Sequence, residues 1–386
     1  MKMNILFICE GFNTSSIVAQ PWKHVAEISR RMRKRGINVQ IISDGKNRDD
    51  ETINGVPVKR VEKRRFLMDV KSLSRKISEE DVDVVNWHAS DLWSSSYFWH
   101  LKKEMKTNFI WTIHSRVITP EDLRNLRFLD YLELYKFWNN FLNASIPHFL
   151  IRKWISVPFL VHVLALSRRI AENALCLGFN PGMVTHIPSG VDINLFQPSR
   201  NKTEGSTILY FGPLSRFRGV DTLLSAFKLL RKNLPKARLI LLARGAEEKD
   251  RFFKRKSKWA NIEINTEILG QVELVNYLNR ASVVVLPFRF WPQVECPLTV
   301  LEAMAMGKAV VTTSIGAIQE IVKHKQNGLV VPPGNSVKLA IAVETLLRNQ
   351  SMCLNLGSNA RARVERCYDW NIIVDKTVKI LSSHSS

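Results

Sequence analysis

Short apolar segments alternate with longer amphipathic segments along the whole chain. In the first half they are NILFIC (4–9), NVQIIS (38–43), VDVVNWH (82–88), NFIWTIH (108–114) and VHVLALS (161–167). A polar linker, QPSRNKTEGS, precedes a second series that runs TILYFG, ARLILLA, IEIN, SVVVLP, KAVVTT and GLVVP. Alternation of strand-length and helix-length segments is typical of a parallel sheet covered by helices on both faces. The sequence therefore predicts two doubly wound, Rossmann-like α/β domains in tandem.

The composition agrees with two folded domains. The chain has 386 residues, of which 45% are hydrophobic and 24% charged, and this balance is globular. Its longest apolar stretch, WISVPFLVHVLALS, is too short to span a bilayer, and MKMNILFICEGF reads as a first strand and not as a signal peptide. Five scattered cysteines without a C-x-x-C pair indicate reduced thiols and a cytoplasmic setting, and argue against zinc.

The charge is strongly basic, with 56 Lys and Arg against 35 Asp and Glu and a net charge of +21. Such a balance implies anionic partners. Three basic clusters stand out, RRMRKR (30–35), KRVEKRR (59–65) and RFFKRKSKW (251–259). A solvated surface is the general explanation for each, and two of them, with interleaved aromatic or aliphatic residues, are alternatively contacts for anionic lipid headgroups. A nucleic-acid or polyanion-binding protein stays an alternative, although the charge is dispersed and no base-stacking motif is evident.

Ligands of doubly wound sheets bind where loops follow the carboxyl ends of strands. The segment YFGPLSRFRGVDTLLSAF (210–227) reads there as a strand, a turn with Gly212 and a helix that starts near Gly219. Arg216 and Arg218 stand at the helix entrance, where backbone N–H groups and guanidinium groups favour phosphate. The nicotinamide and ATP fingerprints are both absent.

One carboxylate lies inside an apolar helix. Pro297 and Gly307 predict a helix over Leu298–Met306, in which Glu302 is the single charged residue. A charge in such a segment costs free energy unless it is paired. The general alternative is a helix-face glutamate that reaches solvent or a lysine.

Five stretches of the second half carry a resemblance to a known family. They are HIPSGVDINLF, GPLSRFRGVDTLLSAF, LGQVELVNYLNRASVVVLP, ECPLTVLEAMAMGKAVVTTSIGAIQEIV and NGLVVPPGN, followed by YDW at 368–370. In order and spacing they resemble the donor-binding domain of retaining glycosyltransferases of the GT-B fold, family 4. The first half matches more loosely, through NILFICEGF, DVVNWH, TIH and VLALS.

The resemblance implies roles for the donor-side residues. Glu302 would accept hydrogen bonds from the ribose hydroxyls of a nucleotide sugar, so that the substrate supplies its partner. Arg218 would neutralise the diphosphate, and the N–H groups of Leu298 and Thr299 would point at the same phosphates. Gly212, Arg216 and Gly270 complete the candidate donor contacts.

On the acceptor side, the resemblance places His114 near the anomeric carbon as a catalytic candidate and implies that Gly11 and His88 line the cleft. The alternative for both histidines is a structural role in the core. The family's first glutamate would fall at Val294, so Glu295 is the catalytic candidate if the loop shifts by one residue. A D-x-D metal motif is matched by residues 81–83, but this segment begins a predicted strand and we expect no metal role.

These features predict a cytoplasmic enzyme, peripheral at the inner face of the membrane, with an N-terminal acceptor domain (1–190) and a donor domain (191–369). The last helix (370–386) is expected to pack back on the first domain. The resemblance implies retention of anomeric configuration, a nucleotide-sugar donor, a glycan or lipid-linked acceptor, and neither cofactor nor essential metal. A nucleotide-sugar epimerase or hydrolase of the same fold is the alternative within the fold.

Overall fold

The computed structural model describes residues 3–18, 20–45, 51–64, 67–89, 94–102, 105–114, 146–199, 205–243, 261–267, 269–290 and 296–385. In chain order its strands are β1 (Asn4–Cys9), β2 (Asn38–Asp44), β3 (Glu51–Ile53), β4 (Val56–Val61), β5 (Lys63–Arg64), β6 (Leu67–Met68), β7 (Val84–Ala89), β8 (Phe109–Ile113), β9 (Leu160–Ala165), β10 (Val184–His186), β11 (Thr207–Gly212), β12 (Arg238–Ala243), β13 (Ile262–Asn265), β14 (Val283–Leu286), β15 (Ala309–Thr313) and β16 (Leu329–Val331).

The helices follow the same order. They are α1 (Trp22–Lys34), α2 (Val70–Ser78), α3 (Ser95–Leu101), α4 (His148–Ile155), α5 (Arg168–Cys176), α6 (Val220–Asn233), α7 (Gln271–Arg280), α8 (Leu298–Ala305), α9 (Ile318–Ile321), α10 (Ser336–Arg348), α11 (Gln350–Cys367) and α12 (Trp370–Ser383). Two short 3₁₀ helices span Ser16–Val18 and Pro181–Met183.

Two separate sheets carry the fold. The first has the order β10-β9-β8-β7-β1-β2-β4-β3, and the second has the order β13-β12-β11-β14-β15-β16. All neighbouring strands in both sheets run parallel except the β3–β4 pair. The predicted class, two doubly wound α/β units, is confirmed.

Each sheet is buried on both faces. Along β1, Leu6 and Ile8 enter one core of the first sheet while Ile5 and Phe7 enter the core on its other face. This alternation follows from the two-residue period of a strand. A third core surrounds the second sheet. Because helices cover both faces, the carboxyl ends of the strands are left for ligand contacts.

The chain crosses between the two sheets at two adjacent points. Val191 N–H donates to the Tyr368 carbonyl at 2.8 Å, and Trp370 N–H donates to the Val191 carbonyl at 3.3 Å. Trp370 packs in the same core as β1, whereas Tyr368 packs in the core of the second sheet. The helix α12 thus returns to the first sheet and contacts α1.

No helix within the described residues is both long and apolar enough to span a bilayer. All five cysteines lie in the described part of the chain, and each is a free thiol.

Candidate functional site

Three histidines meet at the carboxyl end of the first sheet. His88 is the fifth residue of β7, His114 directly follows β8, and His24 lies in the first turn of α1. His88 Nδ1 and His114 Nε2 are 3.0 Å apart, so one of these nitrogens donates to the other. The His24 ring stacks edge-on against His114 at 5.1 Å between centroids, and its Nδ1 lies 3.1 Å from Ser189 Oγ.

Burial keeps this cluster neutral. The side chains of His24, His88 and His114 are 2%, 3% and 5% exposed. Desolvation lowers the pKa of His24 to about 3, and it lowers the pKa values of His88 and His114 well below the usual 6.5, with the neighbouring histidines adding to the shift. A neutral imidazole offers one donor and one acceptor nitrogen, so His114 has the chemistry to hydrogen-bond a sugar hydroxyl.

The loop after β1 is covered by the start of α1. Trp22 Nε1 donates to the Glu10 carbonyl at 2.7 Å, and a Cβ on Gly11 would lie 3.2 Å from the Trp22 ring. Gly11 has φ +70°, a left-handed conformation, and its N–H donates to Asp44. A glycine therefore suits this position, because it tolerates both the positive φ and the close approach of the Trp22 ring.

On the second sheet, the turn after β11 has the predicted course. Gly212 and Gly219 adopt φ +139° and +75°, and a Cβ on Gly219 would lie 1.8 Å from the Pro287 carbonyl oxygen. Arg218, half-buried, places its guanidinium carbon 5.0 Å from the centre of the Phe288 ring. Arg216 is half-buried in the same turn, and its carbonyl accepts from Gly219 N–H at 2.9 Å.

The start of α8 faces the Gly212 turn. A Cβ built on Gly212 would lie 4.0 Å from Thr299 Cγ2. Thr299 is 7% exposed, and its Oγ1 is buried without a hydrogen-bond partner in the described part of the chain. Pro297, at the N-cap of α8, provides no side-chain cap. The helix N-terminus therefore combines amide donors with a buried hydroxyl that still needs a partner.

The partner of the Glu302 carboxylate differs from the expected one. It is 1% exposed, as its apolar surroundings predict, but its Oε1 accepts a hydrogen bond from Lys23 Nζ at 2.9 Å. The expectation that the substrate alone supplies its partner is therefore wrong, because a lysine of α1 reaches it across the boundary between the two sheets. No pattern of spacing indicates this contact, since 279 residues separate the partners.

A small cavity surrounds this ion pair. Its volume is about 60 Å³, and its walls include Gln271 and Leu298 from the second unit and Trp370 from α12. Gly270, the exposed N-cap of α7, precedes Gln271 and donates its N–H to Glu273 at 2.8 Å. The structure thus brings the regions of Gly270, Leu298 and Glu302 to one cavity.

Other sequence features have structural explanations. In the first basic cluster, Arg31 pairs with Asp192 and Arg35 with Asp375. In the second, Lys59 pairs with Glu80 and Arg60 with Glu51. These arginines and lysines contribute to intramolecular ion pairs. The third cluster and Glu295 lie outside the described residues.

The D-x-D segment lies away from the carboxyl ends of the strands. Asp83 precedes β7, and its carboxylate accepts from Asn4 N–H, at the start of β1, at 2.7 Å. Among the described residues no group of three or more His, Cys, Asp or Glu side chains is arranged to hold a metal ion.

Two family descriptions match consecutive parts of the chain. Residues 22–195 match "Glycosyltransferase Family 4", and residues 205–349 match "Glycosyl transferases group 1". The first range contains the histidine cluster and Lys23, and the second contains the Gly212 turn and α8.

Curated relatives agree with these matches. Glycogen synthase of Mycobacterium tuberculosis is 29% identical over 208 residues, 52% of this chain and 49% of that enzyme. The chain thus spans about half the length of the first curated relatives it matches. An uncharacterized glycosyltransferase of Methanocaldococcus jannaschii is 24% identical over 394 residues, 92% of each chain.

A solved structure extends the likeness to the whole fold. HepE of Anabaena, in complex with UDP, has a TM-score of 0.76 and 17% identity, and the match covers 99% of this chain and 100% of that one. Together the family matches and this neighbour support a glycosyltransferase of the GT-B fold.

Proposed function

We propose that this chain, a glycosyltransferase of the GT-B fold, transfers a sugar from a nucleoside-diphosphate sugar to a hydroxyl group of a glycan or lipid-linked acceptor, with retention of anomeric configuration. The donor binds between the Gly212 turn and α8, and the acceptor binds at the carboxyl end of the first sheet. Sequence relatives and the GT-B fold favour sugar transfer as the reaction class. The residues of the site favour a nucleoside-diphosphate sugar as the donor.

The observation that carries the donor assignment is the buried hydroxyl of Thr299. Its Oγ1 lacks a partner within the described residues and lies in the first turn of a helix whose amide donors have no side-chain cap. Such a helix end favours negative charge. A diphosphate oxygen would satisfy the hydroxyl and the amides at once, and Arg218, near the neighbouring strand end, would add a charge-assisted contact.

Glu302 has a second role in the proposal. Its carboxylate lines the same cavity as Gln271 and Leu298. Glu302 lies about one helical turn after Thr299 in α8. Ribose hydroxyls are hydrogen-bond donors, and a carboxylate is an acceptor with two oxygens. The neighbour HepE is known with UDP and with UDP-glucose, which favours a nucleotide-sugar donor here.

His114 serves the sugar on the other side of the cleft. Because burial keeps its imidazole neutral, it hydrogen-bonds a hydroxyl near the anomeric carbon and is not a cationic acid. Retention and the role of the leaving phosphate as the base that deprotonates the acceptor come from the family resemblance. We propose that the reaction needs no cofactor and no essential metal.

The donor site is tested by calorimetry with UDP, GDP, ADP and the corresponding nucleosides. We expect the wild type to bind at least one diphosphate more tightly than its nucleoside. Thr299→Val should lose about 1.5 to 3 kcal/mol of diphosphate binding, the usual range for a hydrogen bond to a charged group. Glu302→Gln should weaken diphosphate and nucleoside alike, because the ribose contact is common to both.

Glu365→Gln is the matched control. Glu365 is a half-exposed glutamate of α11 that pairs with Arg361, so its loss should leave nucleotide binding unchanged. Equal affinity for nucleoside and diphosphate in the wild type would contradict a phosphate site. Binding of short DNA or RNA without nucleotide binding would favour the polyanion alternative.

The reaction class needs a second measurement. Incubation with the bound nucleotide sugar, with and without candidate acceptors, separates transfer from hydrolysis or epimerisation, because a transferase releases nucleoside diphosphate faster when an acceptor is present. The coupling constant of the anomeric proton in the product reports whether the configuration is retained. Inverted product would refute the retaining mechanism and leave transfer itself standing.

We also propose that the acceptor domain rests on an anionic membrane, at its cytoplasmic face. The face formed by α3 and α4 exposes Phe149 (67%) and Trp99 (37%). Lys102 Nζ and Lys153 Nζ lie 5.1 and 5.0 Å from the centre of the Trp99 ring. Exposed aromatic rings flanked by cations fit the boundary between headgroups and acyl chains.

Vesicle sedimentation tests this surface. We expect the wild type to bind vesicles with 30 mol% phosphatidylglycerol at low salt. The double change Lys102→Glu and Lys153→Glu should weaken this binding, because each cation near the membrane surface contributes roughly 1 kcal/mol to the binding free energy. Lys338→Glu, at an exposed lysine of α10, is the control. Indifference of the wild type to vesicle charge would remove the membrane from the proposal.

A further inference from the structure

Lys23 and Glu302 form an ion pair between two different parts of the fold. Lys23 belongs to α1, which packs on the first sheet, and Glu302 belongs to α8 on the second. The ammonium is 2.9 Å from Oε1, and the two side chains are 13% and 1% exposed. A pair this well buried is little screened by salt, and breaking it leaves a charge that needs a new partner.

The space around the pair is too small for a nucleotide sugar. The cavity bordered by Lys23 and Glu302 measures about 60 Å³. Sites for small molecules usually measure about 300 to 1,000 Å³. In the observed arrangement, α1 also contributes Glu27 and Arg30 to the cavity wall. A ribose that reaches Glu302 would therefore compete for this space with the Lys23 side chain.

Resting on the proposed function, we infer that Lys23 competes with the ribose of the donor for the Glu302 carboxylate, so the ion pair lowers nucleotide affinity. The carboxylate exchanges a cationic partner for neutral hydroxyl donors when the nucleotide binds. Both arrangements satisfy the buried charge, which explains why a carboxylate is tolerated in an apolar helix.

The neighbours of Lys23 connect this exchange to the rest of the site. Trp22 covers Gly11, and His24 stacks on His114 at 5.1 Å. Three consecutive side chains in the first turn of α1 thus contact three candidate elements of the site. A shift of this turn that releases Glu302 also changes the covering of Gly11 and His114, so donor binding and access to the acceptor side are coupled.

Lys23→Met tests the inference by calorimetry with UDP, GDP and ADP and with the matching 2′-deoxy nucleotides. We expect about tenfold tighter binding of the preferred ribonucleotide. The preference over its 2′-deoxy analogue should not fall, because the cost of breaking the ion pair is common to both ligands and the unpaired carboxylate still needs the ribose hydroxyls. Lys23→Arg keeps the charge and should bind nearly as the wild type does. Lys34→Met, at an exposed lysine at the end of the same helix, is the control for helix stability.

The outcomes separate the inference from the proposed function. Weaker binding by Lys23→Met would show that Lys23 contacts the donor instead of competing with it, and unchanged binding would show that the ion pair is irrelevant. Either result overturns the inference and leaves the donor site in place. If neither wild type nor variants bind any nucleotide, the proposed function fails and the inference fails with it. Thermal unfolding without ligand verifies that each variant is folded.

Discussion

The histidine cluster makes the stability of the protein sensitive to mild acid. His24, His88 and His114 are buried and have lowered pKa values in the folded protein, whereas a histidine in the unfolded chain titrates near 6.5. Below pH 6.5 the unfolded state therefore binds more protons than the folded state. The stabilising contribution is present above this pH and is lost as the pH falls toward the folded pKa values.

The magnitude follows from the same linkage. Between pH 7 and pH 5.5, each histidine that stays neutral in the folded state lowers the free energy of unfolding by about 1.3 kcal/mol, so the three together lower it by about 4 kcal/mol. Typical proteins have a free energy of unfolding of about 5 to 15 kcal/mol, so this loss is a large fraction of the total. Carboxyl groups contribute little in this range because they titrate near pH 4.

Urea unfolding followed by tryptophan fluorescence measures the effect, since seven of the ten tryptophans precede residue 190. The free energy of unfolding should fall by at least about 4 kcal/mol from pH 7 to pH 5.5, because burial also lowers the pKa values of His162 and His186, and His24→Asn should reduce this fall by about 1.3 kcal/mol. His148→Asn, at an exposed histidine of α4, should leave it unchanged. A fall of less than about 1 kcal/mol in the wild type would refute the reasoning, because it would mean that the folded cluster accepts protons readily.

Two glycines give further predictions of stability. Gly219→Ala places a Cβ 1.8 Å from the Pro287 carbonyl oxygen, in a residue whose φ is +75°. We expect the free energy of unfolding to fall by about 2 to 5 kcal/mol because of strain and overpacking, and we expect diphosphate binding to be lost. Thermal shift with and without ligand measures both effects. Gly190→Ala places a Cβ 2.6 Å from the buried Trp370 ring, and we expect a loss of about 1 to 3 kcal/mol and faster hydrogen exchange in α12; a thermal midpoint within one degree of the wild type would contradict this.

Much of the fold could be predicted from the sequence because its signals are local. All eleven apolar segments identified by their composition form strands, and the helix predicted at Leu298 begins there and ends at Ala305. The strands β3, β5, β6 and β10 were missed because they are only two or three residues long, and β4 was missed because its second half belongs to the basic cluster at 59–65. One signal for β3 and β4 was present, since the Asn54–Gly55 turn between them has φ values of +50° and +75°, which this dipeptide favours in hairpins.

The site was harder to predict than the fold because its contacts are long-range. The rule for carboxyl ends of strands placed Gly11, His88 and His114 at one edge, and the structure brings the two histidines to 3.0 Å. His24 and Lys23 gave no signal, because they lie in an amphipathic helix where polar residues are expected to face solvent. Their burial results from how α1 packs on the first sheet and meets α8, which the sequence of α1 does not specify.

The Glu302 ion pair also bears on why a charge is kept in this helix at all. Hydrophobic residues of similar volume often stabilise a protein as well as a buried ion pair does, so stability is a weak reason to keep one. A carboxylate at a boundary between two domains differs from a core pair because its partner can be exchanged when the domains move. Its cost in the observed arrangement is offset by Lys23, and in a donor complex by ribose hydroxyls. Replacing Lys23 and Glu302 together by Met and Leu should therefore leave the stability nearly unchanged while nucleotide binding is lost, and a large loss of stability in that double variant would mean that the pair serves the fold and not the ligand.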